Sequence, residues 1–135
     1  MTQLLDLDLS SGEWVAREVA DIEQEYLGGL GVNSCLLYRW VPAGCDPLGP
    51  ENILFFGAGP LVGTALPTAC RTEATAKSPL SGRFGTTSAG AEFGARLKMT
   101  GFSYLAIRGE SPEPVYLLLS PGRVELKKAG DLWGL

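Results

Sequence analysis

Three groups of residues in this chain have types and spacings that could do chemistry: glycine runs, a cationic segment and a few thiols. Glycine accounts for 18 of the 135 residues and is clustered, most densely in Gly28-Gly29-Leu30-Gly31 and Gly57-Ala58-Gly59-Pro60-Leu61-Val62-Gly63. Clustered glycine marks backbone at positive φ or in close approach to another group. The second run follows an apolar stretch and so invites comparison with a dinucleotide-binding turn. That turn needs a helix directly after the glycines, its N-terminus facing the pyrophosphate. Pro60 and Pro67 leave no room for one, and Ala74-Thr75-Ala76-Lys77 stands where an acidic residue would end the next strand. Gly28 to Gly31 also has the plain reading of a helix terminus.

The net charge is −4, but it is unevenly placed. From Arg71 to Arg108 the cations Arg71, Lys77, Arg83, Arg96, Lys98 and Arg108 face only Glu73 and Glu92. This segment is either a solvated mixed surface or a local anion site in an otherwise acidic chain. The acidic balance argues against nucleic acid as a partner. Cys35, Cys45 and Cys70 are odd in number and lack CxxC spacing. That disfavours a disulfide framework or a self-contained zinc or iron–sulfur site, and free thiols in a reducing cytoplasm are expected. Cys70 beside Arg71 is either a buried structural thiol or one activated by its neighbour's charge. The absence of histidine removes Ser-His-Asp and Cys-His catalysis from this chain. No run approaches the roughly 20 apolar residues of a membrane span, and no signal peptide is visible at the start.

The elements that must position these residues read as strands with few helices. Leu5, Leu7 and Leu9 alternate with Asp6 and Asp8, Ser10-Ser11-Gly12 turns, and Trp14 to Val19 returns. Asp21 is expected to cap a helix through Tyr26, and a second helix is expected from Asn33 to Trp40, stopped by Pro42 and Gly44. Asn52 to Gly59 reads as a buried strand and Pro60 to Ala69 as irregular. Arg71 to Ala76 and Phe84 to Ser88 read as strands around a Ser78–Gly82 turn. Ala89 to Met99 has helical spacing, Tyr104 to Ile107 is a strand, and Val115 to Leu119 with Val124 to Lys128 makes a closing hairpin. The expectation is an α+β fold, a mixed sheet with two to three helices.

The closing hairpin matches the opening one at a fixed offset. Leu7, Leu9, Ser10, Gly12, Asp21 and Ile22 correspond to Leu117, Leu119, Ser120, Gly122, Asp131 and Leu132. Six matches in register point to duplication. The chain is then one complete repeat, about residues 1–110, plus the opening of a second, about 111–135. It is expected to be either a fragment or a split subunit.

Several ordered motifs carry a family resemblance: Asp8-Leu9-Ser10-Ser11-Gly12, Tyr26-Leu27-Gly28-Gly29-Leu30-Gly31, Pro47-Leu48-Gly49-Pro50-Glu51-Asn52, Pro67-Thr68-Ala69-Cys70-Arg71, Lys77-Ser78-Pro79-Leu80-Ser81-Gly82, Ser88-Ala89-Gly90-Ala91-Glu92-Phe93-Gly94, Leu97-Lys98 with Gly101-Phe102, and Asp131-Leu132-Trp133-Gly134. Together they resemble the N-terminal domain of the aldehyde:ferredoxin oxidoreductase family of tungstopterin enzymes, over nearly the whole chain. The resemblance implies an α+β pterin-binding domain of two similar repeats. It implies a tungsten ion held by two pterins, a magnesium ion linking their phosphates, and a [4Fe-4S] cluster passing electrons to ferredoxin as an aldehyde becomes a carboxylate. By the same resemblance Arg71 contacts the pterin, and Ser88, Ala89 and Gly90 lie against the cofactor. Ser88 stands in place of the family's asparagine, whose backbone carbonyl helps to hold the magnesium. None of the three cysteines falls at the family's cluster positions, so the cluster and any turnover belong to a remainder of the enzyme or a companion subunit. Two alternatives stay open: the same domain of an aromatic-ring-reducing, benzoyl-CoA reductase-like member, and a split structural module that binds no cofactor alone. An apolar face without its mate predicts a homodimer for the isolated chain.

Overall fold

The computed structural model describes residues 2–135. Eight strands and three α-helices follow one another as β1 (Gln3–Asp8), β2 (Trp14–Glu18), α1 (Ala20–Tyr26), α2 (Leu30–Trp40), β3 (Leu54–Ala58), β4 (Thr72–Lys77), β5 (Phe84–Ala89), α3 (Phe93–Met99), β6 (Tyr104–Arg108), β7 (Val115–Ser120) and β8 (Arg123–Lys128), with a 3₁₀ turn at Gly130–Leu132. This is the expected α+β class. Six strands form one mixed sheet in the order β2-β1-β6-β3-β4-β5, in which only β1 and β6 run parallel. β7 and β8 pair with each other alone.

Successive strand residues point to opposite faces, and the apolar pattern divides accordingly. Leu4, Phe55, Tyr104 and Ala106 meet Val32 and Leu36 of α2 in the main core. Phe56, one residue along from Phe55, instead meets Phe93 of α3 at 5.5 Å between ring centroids. So α1 and α2 cover one face of the sheet and α3 the other. The β7–β8 hairpin leans over the α3 face, and the wedge between them is an apolar cleft of about 400 Å³ bounded by Phe56, Phe93, Leu97, Leu105, Ile107 and Leu117 to Leu119.

Local expectations fail at helix starts. α1 has Val19 as its N-cap with no side-chain cap bond, and Asp21 lies inside its first turn. There its charge meets the helix dipole but makes no cap. α2 begins at Leu30, with Gly29 as N-cap at φ +50, so the glycine run starts that helix rather than merely interrupting it. α3 begins only at Phe93. Ala89 is claimed by β5, where its backbone pairs with Thr72; ladder bonding to β4 outweighs the helical spacing of a stretch that lacks an N-cap.

The two matched hairpins also differ. β1 and β2 close across a loop in which Asp8 N–H donates to Glu13 O at 2.9 Å and Gly12 N–H to Asp8 O at 2.8 Å. β7 and β8 close across Pro121-Gly122, with Ser120 paired to Arg123. Gly12 and Gly122 share positive φ, +74 and +72. The loops nevertheless differ in length and the ladders in register, which counts against the duplication expected from the six matched residues. Among the described residues no helix is long and apolar enough to cross a membrane.

Candidate functional site

The β4–β5 ladder decides where the predicted site residues go. It sets Thr72 opposite Ala89 and Glu73 opposite Ser88. Arg71 therefore emerges at one end of the sheet beside the exit of β5, and its Nη1 donates to Ser88 Oγ at 3.3 Å. Arg71, Ser88, Ala89 and Gly90 are all exposed and adjacent. Among the described residues Arg71 makes no ion pair, and Glu92 binds Arg96 at 2.9 Å. A side chain added at Gly90 would meet nothing within 4 Å, so the protein's own packing does not demand glycine there.

Arg71 also borders a cleft of about 330 Å³, with Glu73, Thr68, Gly29, Gly59 and Pro60 around it. The two glycine runs, distant in sequence, form its floor. A Cβ on Gly29 would lie 3.7 Å from Gly59 N, and one on Gly59 would project into open space. Among the described residues the non-glycine positions with positive φ are Leu27 (+62), Thr68 (+66) and Ala91 (+70). Leu27 directly precedes the first glycine run, Thr68 lines the cleft downstream of the second, and Ala91 follows Gly90. Left-handed backbone at such residues costs of order 1–3 kcal/mol and gathers at functional sites. Cys70 is exposed, while Cys35 and Cys45 are buried.

Beneath the cleft lies a set of side chains whose joint role their positions in the sequence do not reveal. Tyr104 is fully buried. Its hydroxyl accepts from Gly29 N–H at 3.2 Å and donates to Glu23 Oε1 at 2.9 Å. Burial, reinforced by the Glu23 contact, holds its phenol pKa well above the usual value. Lys98, on α3, donates to Gly59 O at 2.6 Å and Pro60 O at 3.1 Å. Burial lowers its pKa, against a smaller opposing pull from Glu23. Asn33 Nδ2 reaches Glu73 O at 3.1 Å and Thr75 Oγ1 at 3.3 Å, tying α2 to β4. One signal for Tyr104 was available: a tyrosine amid apolar strand residues needs a partner for its hydroxyl.

This arrangement offers a planar guanidinium, the partly buried backbone of Gly28 and Gly59, and the exposed end of β5. Such donors suit a flat ligand carrying anionic groups. Among the described residues no three His, Cys, Asp or Glu side chains converge as a metal site.

The comparisons agree with one another. The family profile described as "Aldehyde ferredoxin oxidoreductase, N-terminal domain" matches residues 4–135. Over 98% of its length the chain is 37% identical to the tungsten-containing aldehyde ferredoxin oxidoreductase of Thermococcus kodakarensis and 34% identical to that of Pyrococcus furiosus. It spans 22% of the length of each. The structure superposes with TM-score 0.95 and 34% identity on a chain of the active site complex BamBC of benzoyl coenzyme A reductase, covering 98% of this chain and 20% of that one.

Proposed function

Because the chain belongs to the aldehyde ferredoxin oxidoreductase N-terminal domain family, we propose that it is the pterin-side half of a tungsten oxidoreductase site. The observation that carries this reading is the meeting of Arg71, the β5 exit and two glycine loops at one end of the sheet. Arg71 donates to a pterin edge or phosphate. Backbone groups of Ser88, Ala89 and Gly90 would face the same ligand, and the Ser88 carbonyl would help to hold a magnesium ion. The open space at Gly59 and Gly90, where a Cβ would otherwise stand, fits a flat cofactor lying close to the backbone. When bound, the tungsten bis-pterin would supply the two-electron redox chemistry; these residues would bind and orient it, and the Arg71 guanidinium would offset its negative charge. Aldehyde oxidation to carboxylate, with electrons leaving through a [4Fe-4S] cluster to ferredoxin, is the reaction of the assembled enzyme, completed by a remainder or companion subunit. The domain division at about residue 110 is part of this proposal, and the self-contained β7–β8 ladder supports it. A cytoplasmic setting fits the free thiols. A second reading, the same domain in an aromatic-ring-reducing enzyme, is favoured by the close superposition on the benzoyl coenzyme A reductase chain.

The test is Arg71→Ala in the assembled enzyme, beside Lys127→Ala on β8 as control. Arg71→Ala is expected to lower tungsten and pterin content or electron transfer, and Lys127→Ala to leave both unchanged. Full tungsten with full activity in Arg71→Ala would overturn the assignment. Aldehyde-dependent against aromatic thioester-dependent electron transfer separates the two readings. The isolated chain is expected to bind pterin weakly, since the other half of the enclosure is missing.

A further inference from the structure

We infer that Tyr104 and Lys98 are positioning residues for this cleft, holding the Gly28-Gly29 and Gly59-Pro60 loops at the separation a ligand reads. The inference rests on the proposed reading of the cleft and adds to it residues that do not line it. The two loops are in tight apposition: a Cβ on Gly28 would sit 2.8 Å from Pro60 Cδ and 3.0 Å from Tyr104 Oη. Neither loop belongs to a strand ladder at that point, so something else must fix them.

Two braces do so from opposite faces of the sheet. On the α1–α2 face, the Tyr104 ring is locked in the core among Leu4, Val32 and Phe55. Its hydroxyl is therefore placed by core packing, and it holds Gly29 N–H while Glu23 holds it in turn. On the α3 face, Lys98 directs its ammonium at two neutral carbonyls, Gly59 O and Pro60 O. Drawing the ammonium partly out of water disfavours its charge, and the two carbonyls replace water as its hydrogen-bond acceptors. An ordinary surface lysine would turn to water. The geometry instead fastens the rigid C-terminal half of α3 to the loop after β3. Loops fixed in this way hold the shape of the cleft without the entropy cost of ordering on binding.

Hydrogen exchange on the 135-residue chain tests the braces, using Tyr104→Phe, Lys98→Met and Lys98→Arg. Tyr104→Phe should speed exchange of the Gly29 amide by about tenfold or more while the β3–β6 ladder amides hold. Lys98→Met should do the same at Val62 N–H, which bonds to Gly59 O, and Lys98→Arg, which keeps the donors, should restore it. In the assembled enzyme Tyr104→Phe and Lys98→Met should lower tungsten and pterin content by about threefold or more at a nearly unchanged melting temperature, as expected when preorganisation is lost without the fold. Unchanged exchange at Gly29 and Val62 would overturn the inference. So would faster exchange with full cofactor content while Arg71→Ala loses its cofactor, because the loops would then be braced for no purpose at the site. If Arg71→Ala keeps its cofactor and the brace variants lose theirs, the positioning inference stands and the role given to Arg71 falls. Full content in all of them would remove both.

Discussion

At the scale of single residues, the cleft depends on groups whose value is geometric. Gly57 is one. A Cβ there would lie 2.6 Å from Asn33 Oδ1 and 3.0 Å from Gly29 O, where α2 presses on β3. Gly57→Ala is expected to cost about 1–3 kcal/mol, the usual cost of overpacking, measured by urea unfolding; Gly59→Ala, facing open space, should cost far less. Tyr104 gives a pH dependence. Its folded-state pKa is raised by burial and by Glu23, so its contribution is fully present below the unfolded phenol pKa of about 10 and is lost as pH rises above that. Stability of the wild-type chain should therefore fall more steeply above about pH 10 than that of Tyr104→Phe. Equal slopes would show that the phenol's surroundings do not favour the protonated form. Arg71 can be nominated from sequence alone because a cation in the Pro67–Arg71 motif can be named on its own. Tyr104 and Lys98 were not legible as a pair, because their roles exist only through partners far away in the chain.

At the scale of elements, strands were the most legible. Period-two alternation and flanking turn residues depend on neighbours only, and the strand positions came out close to expectation. Helix starts were less legible. At α3, Ala89 and Gly90 have helical spacing, yet β4 captures Ala89 into a ladder. At α2, the signal of a glycine run is the same whether it ends one helix or opens the next. The hairpin match was real in residue types but not in geometry, since Pro121-Gly122 closes a tighter turn than the Asp8–Glu13 loop. The β7–β8 ladder stands apart from the main sheet and has a partly exposed face. A two-stranded hairpin is marginal alone. Its amides are therefore expected to exchange by local opening, at clearly lower protection than those of β1, β6 and β3. Equal protection would mean that the hairpin opens only with the whole domain.

At the scale of the whole molecule, much apolar surface is uncovered. The cleft between α3 and β7–β8 is open, and Leu132, Trp133 and Leu135 at the end of the chain are 56%, 74% and 98% exposed. Such surface is rarely left to water in a stable monomer. In the isolated chain we expect a homodimer that covers it, seen as a doubled mass by light scattering at high concentration; a monomer under those conditions would count against it. With a companion subunit present, the same surface should be lost to the heterologous contact and the homodimer should disappear.

The sequence by itself determined the strands, the mixed α+β class and the family. These follow from local pattern, and from motifs whose order along the chain is itself information. Only the tertiary structure decided that β1 lies parallel to β6, that the two glycine runs meet at one cleft, and that Tyr104 and Lys98 grip them from opposite faces. Those relations depend on which distant segments pair. Pairing is settled by burying Leu4, Phe55 and Tyr104 together, a cooperative choice that no single stretch of sequence makes alone.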